Sequence, residues 1–356
     1  MPGECQRCGG NLKVSAKGAP GWLVKPLDLV TENFDILDLV ASVNRVELEV
    51  SSPDPKCSFR SLLNKLKKVG YLPVMRERNG ELWLAVVKYP EVKTSNILIN
   101  IILLALTILT TFVAGYLLFG QSFINAGLFS GSLMLMLGSH EIGHKIAMRR
   151  NGVASTMPYF IPFLSILGTL GAVIKIKSPI PTKEALVEMG SSGPLIGFGM
   201  ALGVTFFGLY FQVSDPMVLS WPFVPGIFAL LQLINFGQLP STLALNPLLF
   251  AGWVVMLLTM LNLIPAGQLD GGHIARGLLS RRSHYLLTRA LGFSLLFFGF
   301  LLPEYPFWIW GLLIIILFRG HHTGALDDVS ELSSNHKALA IMALLVLFLC
   351  IPLPLL

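Results

Sequence analysis

Two histidines and a glutamate, His140, Glu141 and His144, stand in the stretch GSHEIGHK at 138–145. The ten residues before it are almost all apolar or small. On a helix, positions four apart share a face, so the two imidazoles come side by side with Glu141 next to them. Two imidazoles can hold Zn2+ with a carboxylate beside the open coordination position. In a soluble helix this five-residue pattern recurs by chance. Inside an apolar span, each ionisable group costs about 2.5–3.5 kcal/mol on insertion scales, so three together call for a bound ion or a water-filled cavity.

A catalytic zinc takes three protein ligands and keeps a position for water. Past residue 150 the apolar segments hold few ionisable groups. Asp270 stands out in MLNLIPAGQLDGGHIARG (260–277), just after the apolar run 246–266. Pro265 and the pair Gly271 and Gly272 predict a break in the helix here. Broken helix at membrane depth is tolerated only where it is buried in protein or lines a cavity. Asp270 is therefore the expected third ligand. The competing role for it is to cap a short helix starting near Gly271.

The elements that must position these groups follow from composition. Of 356 residues, 53% are hydrophobic and 13% charged, with a mean hydropathy of +0.69. Soluble domains carry roughly 25% charge, so a membrane protein is expected. Residues 1–95 hold 14 of the 26 Lys/Arg and 11 of the 20 Asp/Glu. A polar head therefore precedes a polytopic body. The net charge of +6 is explained by basic inner loops, not by nucleic acid. No cleaved leader is expected, since the first ~20 residues lack a basic start followed by an apolar core.

Within the head, Val46, Leu48 and Val50 alternate with Arg45, Glu47 and Glu49, the pattern of a half-buried strand. Leu62, Leu63, Leu66 and Val69 share a helical face that Gly70 ends. A hairpin turning on Asn79 and Gly80 follows. A small α+β domain (βαββ) over 21–95 results, preceded by a helix near 31–42. A tail over 1–20 contains Cys5 and Cys8. Their CxxC spacing resembles one knuckle of a zinc ribbon, a candidate second Zn2+ site, although no second CxxC completes the four ligands.

Spans need ~20 apolar residues. The candidates are 97–119, 127–148, 185–211, 246–266, 285–303, 305–318 and 338–356, so six to seven transmembrane helices are expected. A core over 96–290 would be followed by C-terminal helices over 291–356. The segment 223–239 is apolar, but counting it as a span would turn the loop between Arg276 and Arg289 outward. It is read as interfacial or re-entrant. With the head cytoplasmic, the outer loops 120–126, 212–245 and near 304 contain no Lys or Arg, as the positive-inside rule requires. Asp270 then returns to the same inner half as the histidines. A multi-pass protein of a prokaryotic cell membrane, with its N-terminal domain in the cytoplasm, is the expectation.

His140, Glu141 and His144 as HExxH, with Asn262, Pro265, Leu269, Asp270 and Gly271 as NxxPxxxLDG, resemble the site-2 protease family of intramembrane zinc metalloproteases. The stretch from Gly190 through Gly193 and Pro194 to Gly197 also looks like that family's small-residue segment. The resemblance covers roughly 97–290. With no PDZ-sized insertion between spans, it is similar to the branch found in archaea and plastids.

The resemblance implies that His140, His144 and Asp270 bind one zinc ion. It implies that Glu141 is the general base that activates the attacking water and then protonates the leaving amine. Asn262 would orient substrate or steady the developing oxyanion. Residues 157–184 resemble a membrane-dipping β-hairpin beside the site, whose edge could accept an unwound substrate by strand addition. His273 is read as supporting or structural. His284, His321, His322 and His336 are placed in inner loops without a metal role. The implied partner is a single-pass or otherwise membrane-embedded protein substrate within the lipid bilayer; the oligomeric state stays open. Two other functions fit the residues. One is a metal-ion transporter using the same cage, although no repeated halves are evident. The other is a catalytically silent relative, for which Glu141 would be superfluous.

Overall fold

The computed structural model describes residues 24–42, 45–91, 94–211, 217–219, 223–237, 243–302, 307–317 and 322–354. Cys5, Cys8 and His321 lie outside them. The chain divides into two compact units.

The first unit contains residues 1–92 together with 178–183 and 324–332. It starts with α1 (Val24–Thr31), then β1 (Asp35–Ser42), β2 (Arg45–Ser51), α2 (Pro55–Lys68), β3 (Tyr71–Arg78) and β4 (Glu81–Lys88). The sheet order is β1-β2-β4-β3, antiparallel throughout. The helix expected near 31–42 is a strand over most of that run. Ile36, Leu39 and Val40 have helical spacing, but pairing with β2 prevails, with Ile36 opposite Val50 and a register shift before Asp38. The hairpin of β3 and β4 forms as expected, with Asn79 and Gly80 at positive φ. Asp54 caps α2 through the Cys57 N–H. The inner face of α2 buries Phe59, Leu62 and Leu66 against Val46, Leu48, Met75 and Leu84. The outer edge of β3 is not bare. Met75 N–H donates to the Leu326 carbonyl, and Leu326 N–H donates to that of Ile180. The segment 324–332 thus covers an edge that would otherwise template aggregation, and 178–183 pairs with that segment in turn. Asp327 secures the turn by accepting from the backbone N–H groups of Val329 and Ser330.

The second unit holds residues 93–177, 184–323 and 333–356. Its elements are α3 (Ile97–Leu118), α4 (Phe123–Arg150), β5 (Tyr159–Pro162), β6 (Thr169–Val173), α5 (Lys183–Tyr210), β7 (Met217–Leu219), β8 (Phe223–Pro225), α6 (Gly226–Phe236), β9 (Leu243–Leu245), α7 (Pro247–Leu263), α8 (Asp270–Leu278), α9 (Arg281–Leu301), α10 (Phe307–Leu317), α11 (Ser334–Cys350) and β10 (Pro352–Pro354).

Among the described residues, three helices are long and apolar enough to cross a membrane by length and composition: α3, α5 and α9. The helices α7 and α11 have 17 residues each, and α10 has 11. The 11 residues of α6 reach ~16 Å at ~1.5 Å per residue, about half of a hydrocarbon core. The last expected span stops short at Cys350 because Pro352 and Pro354 cannot continue a helix. They pair instead with β8.

Several polar side chains inside the helices bond to one another or to the backbone, which suits an apolar surrounding. Thr111 and Ser130 share a hydroxyl–hydroxyl bond of 2.7 Å between α3 and α4. Asn100 donates to the carbonyls of Met157 and Pro158 at the entry to β5. The β5–β6 hairpin forms inside the region expected to hold one. Its turn rests on α3, where Thr110 Oγ1 donates to the Gly168 carbonyl at 2.6 Å. Gly168 has φ +75°, and a Cβ there would strike the Thr110 carbonyl. Leu164 and Ile166 at the tip are 86% and 60% exposed, which suits insertion into lipid.

Candidate metal centre

Helix α4 runs from its Ser122 cap to Asn151 with Arg149 and Arg150 in its last turn, where cations complement the helix dipole. Its buried face includes Leu133, Leu137, His140, Glu141 and His144. The chain leaves α7 at Leu263, turns through 264–269 and re-enters helix at Asp270. The break therefore lies at the Pro265 turn. Gly271 and Gly272, expected to break the helix, lie inside α8, and their reason is close packing. A Cβ on either would run into the carbonyls of the turn, those of Leu263 and Ile264 for Gly271 and of Ala266 and Gly267 for Gly272. The cap of α8 is Leu269, with no side-chain bond, so the Asp270 carboxylate is not used as a cap.

That carboxylate meets the histidines instead. His140 Nε2 lies 3.3 Å from Asp270 Oδ2, and His144 Nε2 lies 3.3 Å from Oδ1. The two Nε2 atoms are 3.0 Å apart. Among the described residues, His140, His144 and Asp270 are the one set of three His, Cys, Asp or Glu gathered closely enough to hold a metal ion. The geometry fits zinc. Tetrahedral ligands at about 2.0–2.1 Å from an ion stand about 3.3–3.4 Å from one another, close to the three separations found, with the carboxylate turning one oxygen to each imidazole. The proton arrangement fits as well. His144 Nδ1 donates to the Met189 carbonyl at 2.8 Å, so the neutral ring presents its Nε2 lone pair to the site.

Helix α5 makes this approach feasible. At Gly193 a Cβ would overlap the His144 imidazole, and at Gly197 it would press on His140 at Cβ (3.0 Å) and Nδ1 (3.1 Å). Pro194 sits in the interior of α5. It removes the N–H that would have bonded the Gly190 carbonyl and loosens this turn, next to the Met189 carbonyl that accepts from His144. The small-residue stretch was legible in the sequence; its contacts with the histidines were not.

Glu141 is 6% exposed. It lines a cavity of about 200 Å³ together with His140, His144, Asn262, Asp270 and His273. Ala172 and Val173 of β6, followed by Ile174 and Ile176, form another part of the wall. All five residues expected to act at the site thus border one cavity, and the hairpin borders it too. Lys145 draws the chain after α4 toward the hairpin, its ammonium donating to the Ser155 and Thr156 carbonyls and the Ser155 hydroxyl, each at 2.9 Å.

Two of the other histidines depart from expectation. His284 lies in α9 and His336 in α11, not in loops. His322 Nε2 is 2.9 Å from His273 Nδ1, and its ring centroid is 5.6 Å from that of His284. Burial, then the neighbouring His273, His284 and Arg276, push His322 down to about 3, so it is neutral at ordinary pH.

Residues 128–302 match Peptidase family M50. These residues carry the domain of that family, the site-2 proteases. It is 32% identical over 228 residues to "Probable zinc metalloprotease EGY2, chloroplastic" of Arabidopsis thaliana, covering 62% of this chain and 40% of that protein. It is 30% identical over 221 residues to "Probable zinc metalloprotease EGY1, chloroplastic" of the same plant, covering 59% and 40%. It is 31% identical over 227 residues to the EGY2 protein of Oryza sativa subsp. japonica, covering 62% and 41%. The chain spans about two fifths of the length of these relatives. No solved structure matches it.

Proposed function

We infer that this chain is a zinc-dependent intramembrane endopeptidase that hydrolyses a peptide bond of a membrane-embedded substrate. The observation that carries the reading is the convergence of His140, His144 and Asp270 at ligand spacing, with Glu141 on the same cavity. Family membership and the names of the relatives support it.

His140, His144 and Asp270 would hold the ion. Zinc bound there would polarise the scissile carbonyl and make water acidic near pH 7. Glu141 takes a proton from the attacking water and delivers it to the departing amide nitrogen, so that water and peptide become carboxylate and amine. Asn262 donates from its carboxamide to the substrate carbonyl. Gly193 and Gly197 keep the imidazoles in place. Strand β6 pairs with β5 on one edge, and its other edge carries no strand among the described residues. An unwound substrate segment adds there, which supplies the backbone bonds it gave up on leaving its helix.

Positive-inside charge supports six to seven crossings, with the shorter apolar helices completing the set and the N-terminal unit on the basic-loop side. Cleavage then falls near that side, because His140 lies nine residues from Arg149, ~14 Å along the helix. The relatives are named as chloroplastic, which lends no support to a prokaryotic cell membrane. The reading kept is a multi-pass membrane protein.

The test is to purify the full chain, measure zinc, and follow cleavage of a model transmembrane substrate with wild type and Glu141→Gln. Zinc near one per chain in both, with cleavage lost in the variant, is expected. Cleavage at the wild-type rate in Glu141→Gln would overturn the assignment. Zinc flux into liposomes surviving in that variant would point to transport.

A further inference from the structure

We propose that His273 is a substrate-touching hydrogen-bond donor of the hydrolytic site, and that His322 is the positioning residue that fixes the His273 proton on Nε2. The inference rests on the hydrolase reading for what His273 touches; the His273–His322 pair itself does not depend on it.

His273 stands one helical turn after Asp270 and lines the same cavity as Glu141 and the three candidate ligands. Its Nδ1 faces away, toward His322 Nε2 at 2.9 Å. The nitrogen on the other side of the ring, Nε2, is therefore the one that meets the cavity. His322 is only 5% exposed and stands edge-on to both His273 and His284, so it is held from two sides. Two neutral imidazoles at this distance share one N–H···N bond. If His273 were the donor, its Nε2 lone pair would face a cavity that holds the carboxylates of Glu141 and Asp270. If His322 Nε2–H donates, His273 turns an N–H to them instead. The second arrangement is the one proposed, since only an Nε2–H on His273 can donate to a substrate oxygen in the cavity.

An N–H aimed into that cavity can serve the carbonyl oxygen as it gains negative charge when water attacks. Being neutral, it brings no cation near the ligands that would compete with a divalent ion. Removing one such donor elsewhere costs on the order of 10²–10³ in kcat. His322 lies outside the family-matched residues 128–302, so the loop after α10 would contribute to the site from beyond the shared domain.

The experiment uses the full-length protein with His273→Phe, His273→Gln, His322→Ala and the Phe/Ala double variant. Zinc content, kcat and KM on a model transmembrane substrate, and nitrogen NMR of histidine-labelled protein are read for each. In His273→Phe, kcat is expected to fall about a hundredfold or more with zinc retained and KM within about threefold. Gln, whose amide N–H can replace Nε2–H, should recover at least tenfold of that loss. His322→Ala should lower kcat about tenfold and add nothing to His273→Phe, since the two act as one unit. The NMR should show His273 protonated on Nε2 in wild type and mixed tautomers in His322→Ala. Wild-type kcat in His273→Phe, multiplicative losses in the double variant, or a proton on His273 Nδ1 would each overturn the proposal. The tautomer is read without turnover. If Glu141→Gln remains active, the hydrolase reading fails by itself and the NMR still decides the pair.

Discussion

Replacing Gly193 by alanine should empty the metal centre without touching a ligand. The added Cβ would lie 2.5 Å from His144 Cε1 and 2.6 Å from Cδ2, and nearer still to Nε2. Carbon atoms at ease sit about 3.5–4.0 Å apart, so ring and helix must separate by about 1 Å. Ligand distances in a working site hold within about 0.2 Å. Neither side can yield easily, because His144 Nδ1 is tied to the Met189 carbonyl on the very helix that carries Gly193. Loss of a group that merely orients a ligand costs about 10–100-fold in metal affinity. Displacing the ligand should cost no less, which is about 1.4–2.7 kcal/mol or more. The same helix supplies the control. A Cβ on Gly199 meets nothing within 4 Å, so Gly199→Ala should keep zinc and gain a few tenths to about 1 kcal/mol of helix stability. The assay is competition for zinc against a chromophoric chelator in detergent, with both variants in parallel. A Gly193→Ala protein that holds zinc within twofold of Gly199→Ala would refute the packing argument.

Four further outcomes are expected. Asp270→Asn preserves shape and removes charge, and should weaken zinc more than about a hundredfold in the same titration; an unchanged Kd would remove Asp270 from the ligand set. Zinc competes with protons for the imidazoles, so affinity should fall as the pH is lowered; equal Kd at acid and neutral pH would show that histidines do not bind. Lys145→Met leaves the Ser155 and Thr156 carbonyls without their ammonium donor, and should lower kcat/KM while zinc content holds. Phe59→Ala in α2 empties a fully buried site and should destabilise the N-terminal unit by about 3–5 kcal/mol, read by hydrogen exchange on its peptides.

How much of this was legible follows from the range of each signal. HExxH is local: four residues on one helix decide that two imidazoles meet. Asp270 needed topology as well, since only a return to the inner half brings it near. The strand β1 was misread because Ile36, Leu39 and Val40 carry helical spacing, and strand pairing with Val50 is not visible in that stretch alone. The glycines after Asp270 look like helix breakers to propensity, yet they sit inside α8 because the turn carbonyls pass too close for a Cβ. Least legible were the segment 324–332, which covers the edge of β3, and 178–183, which pairs with that segment. Each is short, irregular and far in sequence from the strand it completes. His322 was missed for a related reason: nothing near it in sequence signals His273, 49 residues away.

The role of α5 shows why a site of this kind needs a third helix with little of its own to offer. Ligands on two non-adjacent helices must come within about 3.3 Å of one another, and the bilayer supplies no hydrophobic force to press helices together. Association then depends on close packing, which small residues permit. Gly190 accepts the backbone of α8, where a Cβ would strike the Asp270 carbonyl, while Gly193 and Gly197 accept His144 and His140. Spaced three and four apart, these glycines lie along one face. All three candidate ligands are therefore registered against a single surface, and an error in the tilt of α5 would move them together instead of scattering them. Pro194 completes the arrangement by loosening the turn beside the carbonyl that sets the His144 tautomer. The chemistry resides on α4 and α8, and the precision of its geometry is written into α5.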